Sequence, residues 1–184
     1  MINEGKAKIS REVLSKALER LGELAVQSGL TLEVCLYGGA LLMLAYDSRE
    51  ATKDVDAIVR SRDAGFKLAS QVGREFQLPE NWLNDDVKLF LAPHEQTCYL
   101  PQQFRGLHLT APTAGYLLAM KALACRSVLP GYEGDQEDLK FLIRKMGIKS
   151  VGEIQAAIDR YYPDDVLPAH DRAVLTELIK EVWA

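Results

Sequence analysis

The sequence predicts an α/β (α+β) fold, with a small mixed β-sheet core first and a helical bundle after it. Two short apolar strands, Leu32 to Leu36 and Val55 to Val59, flank a stretch of strong helix formers. Apolar residues also recur at helical spacing before the first strand and throughout the chain beyond Pro112. The change of character sets a boundary: a mixed core over 1–111 and a helical region over 112–184 packed on it.

Taken in order, Val13, Leu14, Ala17, Leu18, Leu21, Leu24 and Ala25 make one apolar stripe between Ser10 and Ser28. Ser10 and Glu12 suit a helix start, and Gly29 ends it. After the second strand, Ser61-Arg62-Asp63 supplies turn and cap residues for a helix over Ala64 to Phe76. Pro79 then breaks regular structure beside Trp82, so Leu78 to Asp86 reads as a loop or short turn. Val87 to Leu91, Thr97 to Leu100 and Leu107 to Leu109 read as short strands. Helices are expected over Thr113 to Val128, stopped by Pro130-Gly131, then Gln136 to Met146 capped by Gly147, Ser150 to Tyr161, and Asp171 to Trp183.

Composition narrows the function classes. A chain of 184 residues with 48% hydrophobic and 26% charged residues can bury a substantial core, which excludes disordered and fibrous classes. A net charge of -4 argues against a strongly basic nucleic-acid binder but leaves room for a local cationic patch. No apolar run reaches membrane-spanning length and the first residues lack a signal-peptide core, so no membrane partner and a cytoplasmic address are expected. Cys35, Cys98 and Cys125 are scattered, as suits reduced thiols, and His94, His108 and His170 have no ligand-like spacing.

The chemistry concentrates between the two strands. Gly38 and Gly39 follow the first strand and open the segment Ala40 to Ala45; adjacent glycines let backbone N–H groups approach a bulky anion, and a helix N-terminus favours phosphate. On the second strand Asp54 and Asp56 alternate with Val55 and Ala57, so the two carboxylates share a face. They repel unless a cation sits between them, and hard oxygen ligands suit Mg²⁺ or Mn²⁺. A metal-dependent phosphate site is the expectation.

Gly-Gly, a helix, the connecting loop Tyr46 to Lys53, and Asp-x-Asp on the next strand resemble the nucleotidyltransferase superfamily built on the DNA polymerase β-like fold. The resemblance implies that Gly38 and Gly39 hold a nucleoside triphosphate (NTP), with Lys53 beside it, and that Asp54 and Asp56 bind Mg²⁺ while a nucleotidyl group passes to an acceptor hydroxyl. A second constellation, Leu-Leu-Ala-Met-Lys-Ala-Leu-Ala-Cys-Arg at 117–126 followed by Asp135-x-x-Asp138, is similar to the helical motif of AbiEii-type toxins and their relatives. By that likeness Lys121 reaches a phosphate of the triphosphate and Asp138 orders the lysine or the substrate. Read from spacing alone, Asp135 and Asp138 share a helix face and can pair with Lys121 or Arg126.

The superfamily commonly adds a third carboxylate on a neighbouring strand as general base and metal ligand. Asp85, Asp86 and Glu95 compete for that position, and the string Trp-Leu-Asn-Asp favours Asp85. The leading expectation is transfer from an NTP to an RNA 3′ end, tRNA included, or to a protein hydroxyl, in a toxin–antitoxin setting with an antitoxin partner. The alternative is a catalytically weak or inactive nucleotide- or partner-binding module on the same fold. A sugar-nucleotide glycosyltransferase fits poorly, since too little chain precedes Asp-x-Asp to build a nucleotide-binding half.

Overall fold

The structure, a computed structural model, describes residues 8–124 and 133–184, and the fold is mixed α+β. The chain divides into two compact units, the first made of Met1–Leu89 and Thr97–Ala111, the second of Phe90–Gln96 and Pro112–Ala184.

The first unit is built on a five-stranded sheet in the order β5-β4-β2-β7-β6, comprising β2 (Leu32–Leu36), β4 (Val55–Val59), β5 (Leu83–Asn84), β6 (Thr97–Tyr99) and β7 (Leu107–Pro112). β2 runs antiparallel to β4 and parallel to β7, while β5 runs parallel to β4. Leu32, Val34 and Leu36 are fully buried, as are Val55, Ala57, Leu107 and Leu109, so alternate residues of three strands form one apolar layer. Burying each such Leu or Val contributes about 1.5–3 kcal/mol relative to leaving it in water.

Helix α1 (Arg11–Gln27) starts where Ser10 accepts a hydrogen bond from the Val13 N–H, and it buries Leu14, Leu18 and Leu21. Helix α3 (Arg62–Glu75) packs beside it, and Arg20 of α1 donates to Glu75 of α3 at 2.7 Å. The short helix α2 (Gly38–Tyr46) is apolar nearly all round, with Ala40, Leu41, Leu42 and Met43 fully buried. A helix of that kind has to sit inside its unit.

A separate pair of two-residue strands, β1 (Ile9–Ser10) and β3 (Ala51–Thr52), pins the loop after α2, with Ile9 opposite Thr52. Neither is long enough to show alternation, and the sequence reading has that loop without structure. Val87 to Leu91 also differs from expectation: Asp86–Phe90 is a 3₁₀ turn. The Asn84 side-chain oxygen accepts from the Asp86 N–H and the Asp85 carbonyl accepts from the Lys88 N–H, which offers the backbone partners other than a sheet.

The second unit is helical: α4 (Ala114–Leu123), α5 (Glu133–Met146), α6 (Val151–Tyr161) and α7 (Ala169–Trp183). Thr113 and Ser150 cap α4 and α6, each accepting from the N–H three residues on. The expected end of the first of these helices at Pro130-Gly131 lies outside the described residues, as do Cys125 and Arg126. Segment 90–96 joins this unit through its backbone: the Ala92 N–H donates to the Tyr116 hydroxyl at 2.9 Å, and the Tyr162 hydroxyl donates to the Phe90 carbonyl at 2.7 Å. Burial against Tyr116 pushes the Tyr162 hydroxyl far above its ordinary pKa, so it acts as a structural donor. Among the described residues no helix is long and apolar enough to cross a membrane.

Candidate functional site

The candidate site in the first unit is set by the register of two strands. Leu36 of β2 pairs with Ala57 of β4, and one residue further the Tyr37 N–H donates to the Asp56 carbonyl at 2.9 Å. The glycine turn is thereby delivered beside Asp56. Tyr37 is extended and buried, and its side chain belongs to the core. Gly38 then opens α2 with φ +58°, a left-handed conformation that costs an L side chain about 1–2 kcal/mol.

Space at this corner is as restrictive as the backbone. A Cβ on Gly38 would stand 2.8 Å from Asp56 Oδ2. One on Gly39 would stand 2.8 Å from Thr52 Oγ1 and 2.9 Å from Arg49 Nη1. A carboxylate, a hydroxyl and a guanidinium thus reach the two glycines, and only the missing side chains leave room for them.

Asp54 immediately precedes β4 and is half-buried, as Asp56 is, whereas Val55 and Ala57 between and after them are buried. The Asp54 carbonyl accepts from Thr52 Oγ1 at 2.9 Å, so the buried threonine fixes the backbone that leads into the acidic pair. Lys53 is exposed. Asp54 and Asp56 offer hard oxygens; among the described residues no group of three or more His, Cys, Asp or Glu side chains is placed to hold a metal ion.

Beside Asp56 on the neighbouring strand stands Asn84, its register partner in the parallel β4–β5 ladder. Paired residues of a parallel ladder project to the same face, so the Asn84 amide shares a face with Asp56. Its Oδ1 accepts from the Asp86 N–H at 3.0 Å. Asp85 lies one residue beyond the ladder and is gripped by Arg62 Nε at 2.7 Å and Lys88 Nζ at 3.3 Å. The hydrogen bond from Arg62 lowers its pKa to about 2. A carboxylate held that low is a weak proton acceptor.

The second constellation belongs to the other unit and gathers there. Lys121 of α4 places Nζ 2.7 Å from Asp135 Oδ1 and 2.6 Å from Asp138 Oδ2, both on α5. Asp138 is only 2% exposed, so the lysine offsets a carboxylate that would otherwise be very costly to bury. The expected pairing of Lys121 with the two aspartates is present, while Arg126 is outside the described residues.

Sequence reading missed Arg49, Thr52 and Asn84. Arg49 and Thr52 lie in a loop whose two-residue strand carries no pattern; a cation and a hydroxyl between a glycine turn and an acidic pair were the available signal. Asn84 was masked by the acid that follows it. Comparisons with family models, with curated proteins and with solved structures returned no match.

Proposed function

We propose that the first unit carries a metal-dependent nucleotidyltransferase site of the polymerase β-like kind, using an NTP as donor. The observation that supports this best is the approach of the Asp56 carboxylate to within 2.8 Å of the Cβ position at Gly38, an acidic group and bare backbone meeting at one corner. N–H groups at the start of α2 would bind phosphate oxygens, aided by the helix dipole. Asp54 and Asp56 would hold Mg²⁺ or Mn²⁺. Bound there, the ion supplies charge neutralisation for the phosphates and a lowered pKa for the attacking hydroxyl.

The reaction class is attack of an acceptor hydroxyl on the α-phosphorus: a new O–P bond forms, the bond to pyrophosphate breaks, and the hydroxyl proton leaves to solvent or buffer. What the protein contributes is position. The β2–β4 register fixes Asp56 against the glycine turn, and Thr52 fixes the approach of Asp54. The acceptor classes are an RNA 3′ end, tRNA included, or a protein hydroxyl, with an antitoxin as a partner in the toxin setting. Lys121 Nζ is held by two carboxylates of its own unit, which assigns it first to offsetting their charge.

A second reading is favoured by Asn84. With an amide beside Asp56 and Asp85 engaged by two cations, the unit would bind nucleotide and turn it over slowly or not at all. One experiment separates the readings: labelled NTPs are incubated with total RNA and protein, with wild type and Asp56→Asn, and pyrophosphate release and label uptake are scored. Uptake by wild type that the variant loses supports transfer, and undiminished transfer by Asp56→Asn sinks the assignment. Nucleotide binding by calorimetry without pyrophosphate release supports the module.

A further inference from the structure

We infer that Trp82 is a positioning residue for the acidic pair, holding Asp54 and Asp56 in place through the backbone that lies between them. The inference rests on the proposed role of those carboxylates as metal ligands. The peptide joining Asp54 to Val55 is gripped at both of its polar ends. Its carbonyl accepts from Thr52 Oγ1 at 2.9 Å, and its N–H donates to the Trp82 carbonyl at 2.6 Å. A peptide unit is planar, so fixing both ends fixes its orientation. That orientation sets the direction from which the Asp54 side chain leaves the backbone and the path by which the chain enters Asp56.

Trp82 can act as an anchor because it is itself held from another element. Strand β5, which begins at the next residue, is two residues long and has too short a ladder to fix its own position. The indole supplies what the ladder lacks. It is 1% exposed, and its Nε1 donates to the Ala69 carbonyl of α3 at 2.9 Å, while the Trp82 backbone N–H donates to the Pro79 carbonyl at 2.9 Å. A buried indole N–H needs such a partner, so the bond selects one placement of the ring. Gly73, one turn beyond Ala69, makes the room: a Cβ there would stand 3.0 Å from Trp82 Cδ1 and 3.2 Å from Nε1. A cavity of about 260 Å³, whose lining includes Phe66, Ala69, Trp82 and Leu83, lies beside the ring, so the ring has space to shift once its bond is lost. The connection from α3 to the acidic strand thus runs through the Ala69 carbonyl, the indole, the Trp82 carbonyl and the Val55 N–H. Phenylalanine would fill most of the ring's place but cannot donate.

Inorganic tripolyphosphate is a suitable probe because it does not depend on which base the site prefers. Its binding to the full chain is titrated by calorimetry over a series of Mg²⁺ concentrations, and amide exchange is followed by NMR without metal. Wild type is compared with Trp82→Phe, Gly73→Ala and Gly29→Ala, with melting temperature recorded for each. Gly29→Ala is the stability control, since Gly29 has φ +69° and nothing within 4 Å of its Cβ position. Residues that orient metal ligands typically change metal affinity by about 10–100-fold when replaced, so Trp82→Phe and Gly73→Ala should raise the Mg²⁺ concentration for half-maximal binding by about tenfold or more. Both should also speed exchange of the Val55 N–H by about tenfold relative to the Tyr37 N–H, whereas Gly29→Ala should move neither readout. Gly73→Ala is the sharper variant, because alanine favours a helix interior over glycine: a protein that keeps its melting temperature and still needs more Mg²⁺ has not merely loosened. Should Trp82→Phe fail to fold, Gly73→Ala decides alone. An unchanged Mg²⁺ requirement in the folded variants, or an equal shift in Gly29→Ala, overturns the role of Trp82 and leaves the metal reading standing. If wild type binds no tripolyphosphate at any Mg²⁺ concentration, the metal reading itself fails and the positioning role falls with it.

Discussion

Replacing Gly38 by alanine separates a backbone requirement from a site requirement. The backbone part follows from φ +58°, where an L side chain costs about 1–2 kcal/mol. At about 2–4 °C per kcal/mol for a chain of this size, that alone lowers the melting temperature by about 2–8 °C. The site part follows from the added methyl, which would stand 2.8 Å from Asp56 Oδ2, so the carboxylate must rotate away from the turn. Gly29→Ala isolates the first part: Gly29 has φ +69° and nothing within 4 Å of its Cβ position. Both variants should melt a few degrees early by scanning calorimetry, but only Gly38→Ala should lose Mg²⁺-dependent tripolyphosphate binding, by tenfold or more. Full binding by a folded Gly38→Ala protein would refute the idea that this corner is where carboxylate and phosphate meet.

Three further outcomes are expected. Lys121→Ala removes the cation 2.6 Å from the buried Asp138 Oδ2 and should cost about 1–3 kcal/mol in urea unfolding, whereas Lys121→Ala with Asp138→Asn, which removes the buried charge, should recover part of that loss. Asn84→Asp adds a carboxylate beside Asp56 and should raise pyrophosphate release above wild type in the presence of Mg²⁺; no gain would mean that the amide position does not limit turnover. Asp85 has a folded pKa near 2, below its ordinary 3.8, so its contribution to stability is present above about pH 4 and is lost as pH falls toward 2. A carboxyl NMR titration should find its midpoint near 2 in wild type and higher in Arg62→Ala, where the largest cause of the depression is gone.

The helices were legible because their ends carry chemistry as well as their faces. Ser10, Thr113 and Ser150 each cap a helix in the structure, and the apolar stripe of α1 becomes its buried face. Strands β2 and β4 were legible through alternation over five residues each. Where that signal shrinks to two residues, as in β1, β3 and β5, nothing in the sequence distinguishes a strand from a loop. Val87 to Leu91 failed for a different reason. Its apolar residues look strand-like, but Asn84 and Asp85 before it supply local acceptors that turn the chain before a ladder can extend.

The site divides along the same line. Gly38 and Asp56 could be placed from the sequence because each is tied to a regular element, the glycine to the start of α2 and the acid to β4, while Asp54, expected on that strand, lies just before it. Arg49 and Asn84 could not, since their positions depend on pairings between segments far apart in the chain, Ile9 with Thr52 for one and Asp56 with Asn84 for the other. Those pairings carry the functional question. Register sets an amide beside Asp56, and the loop after α2 brings a guanidinium close to Gly39. On the proposed reading binding and turnover separate: Gly38→Ala should weaken affinity for the donor, while Asn84→Asp should change the rate after it is bound. If both substitutions moved the same parameter, KM or kcat alone, that division of labour would be wrong.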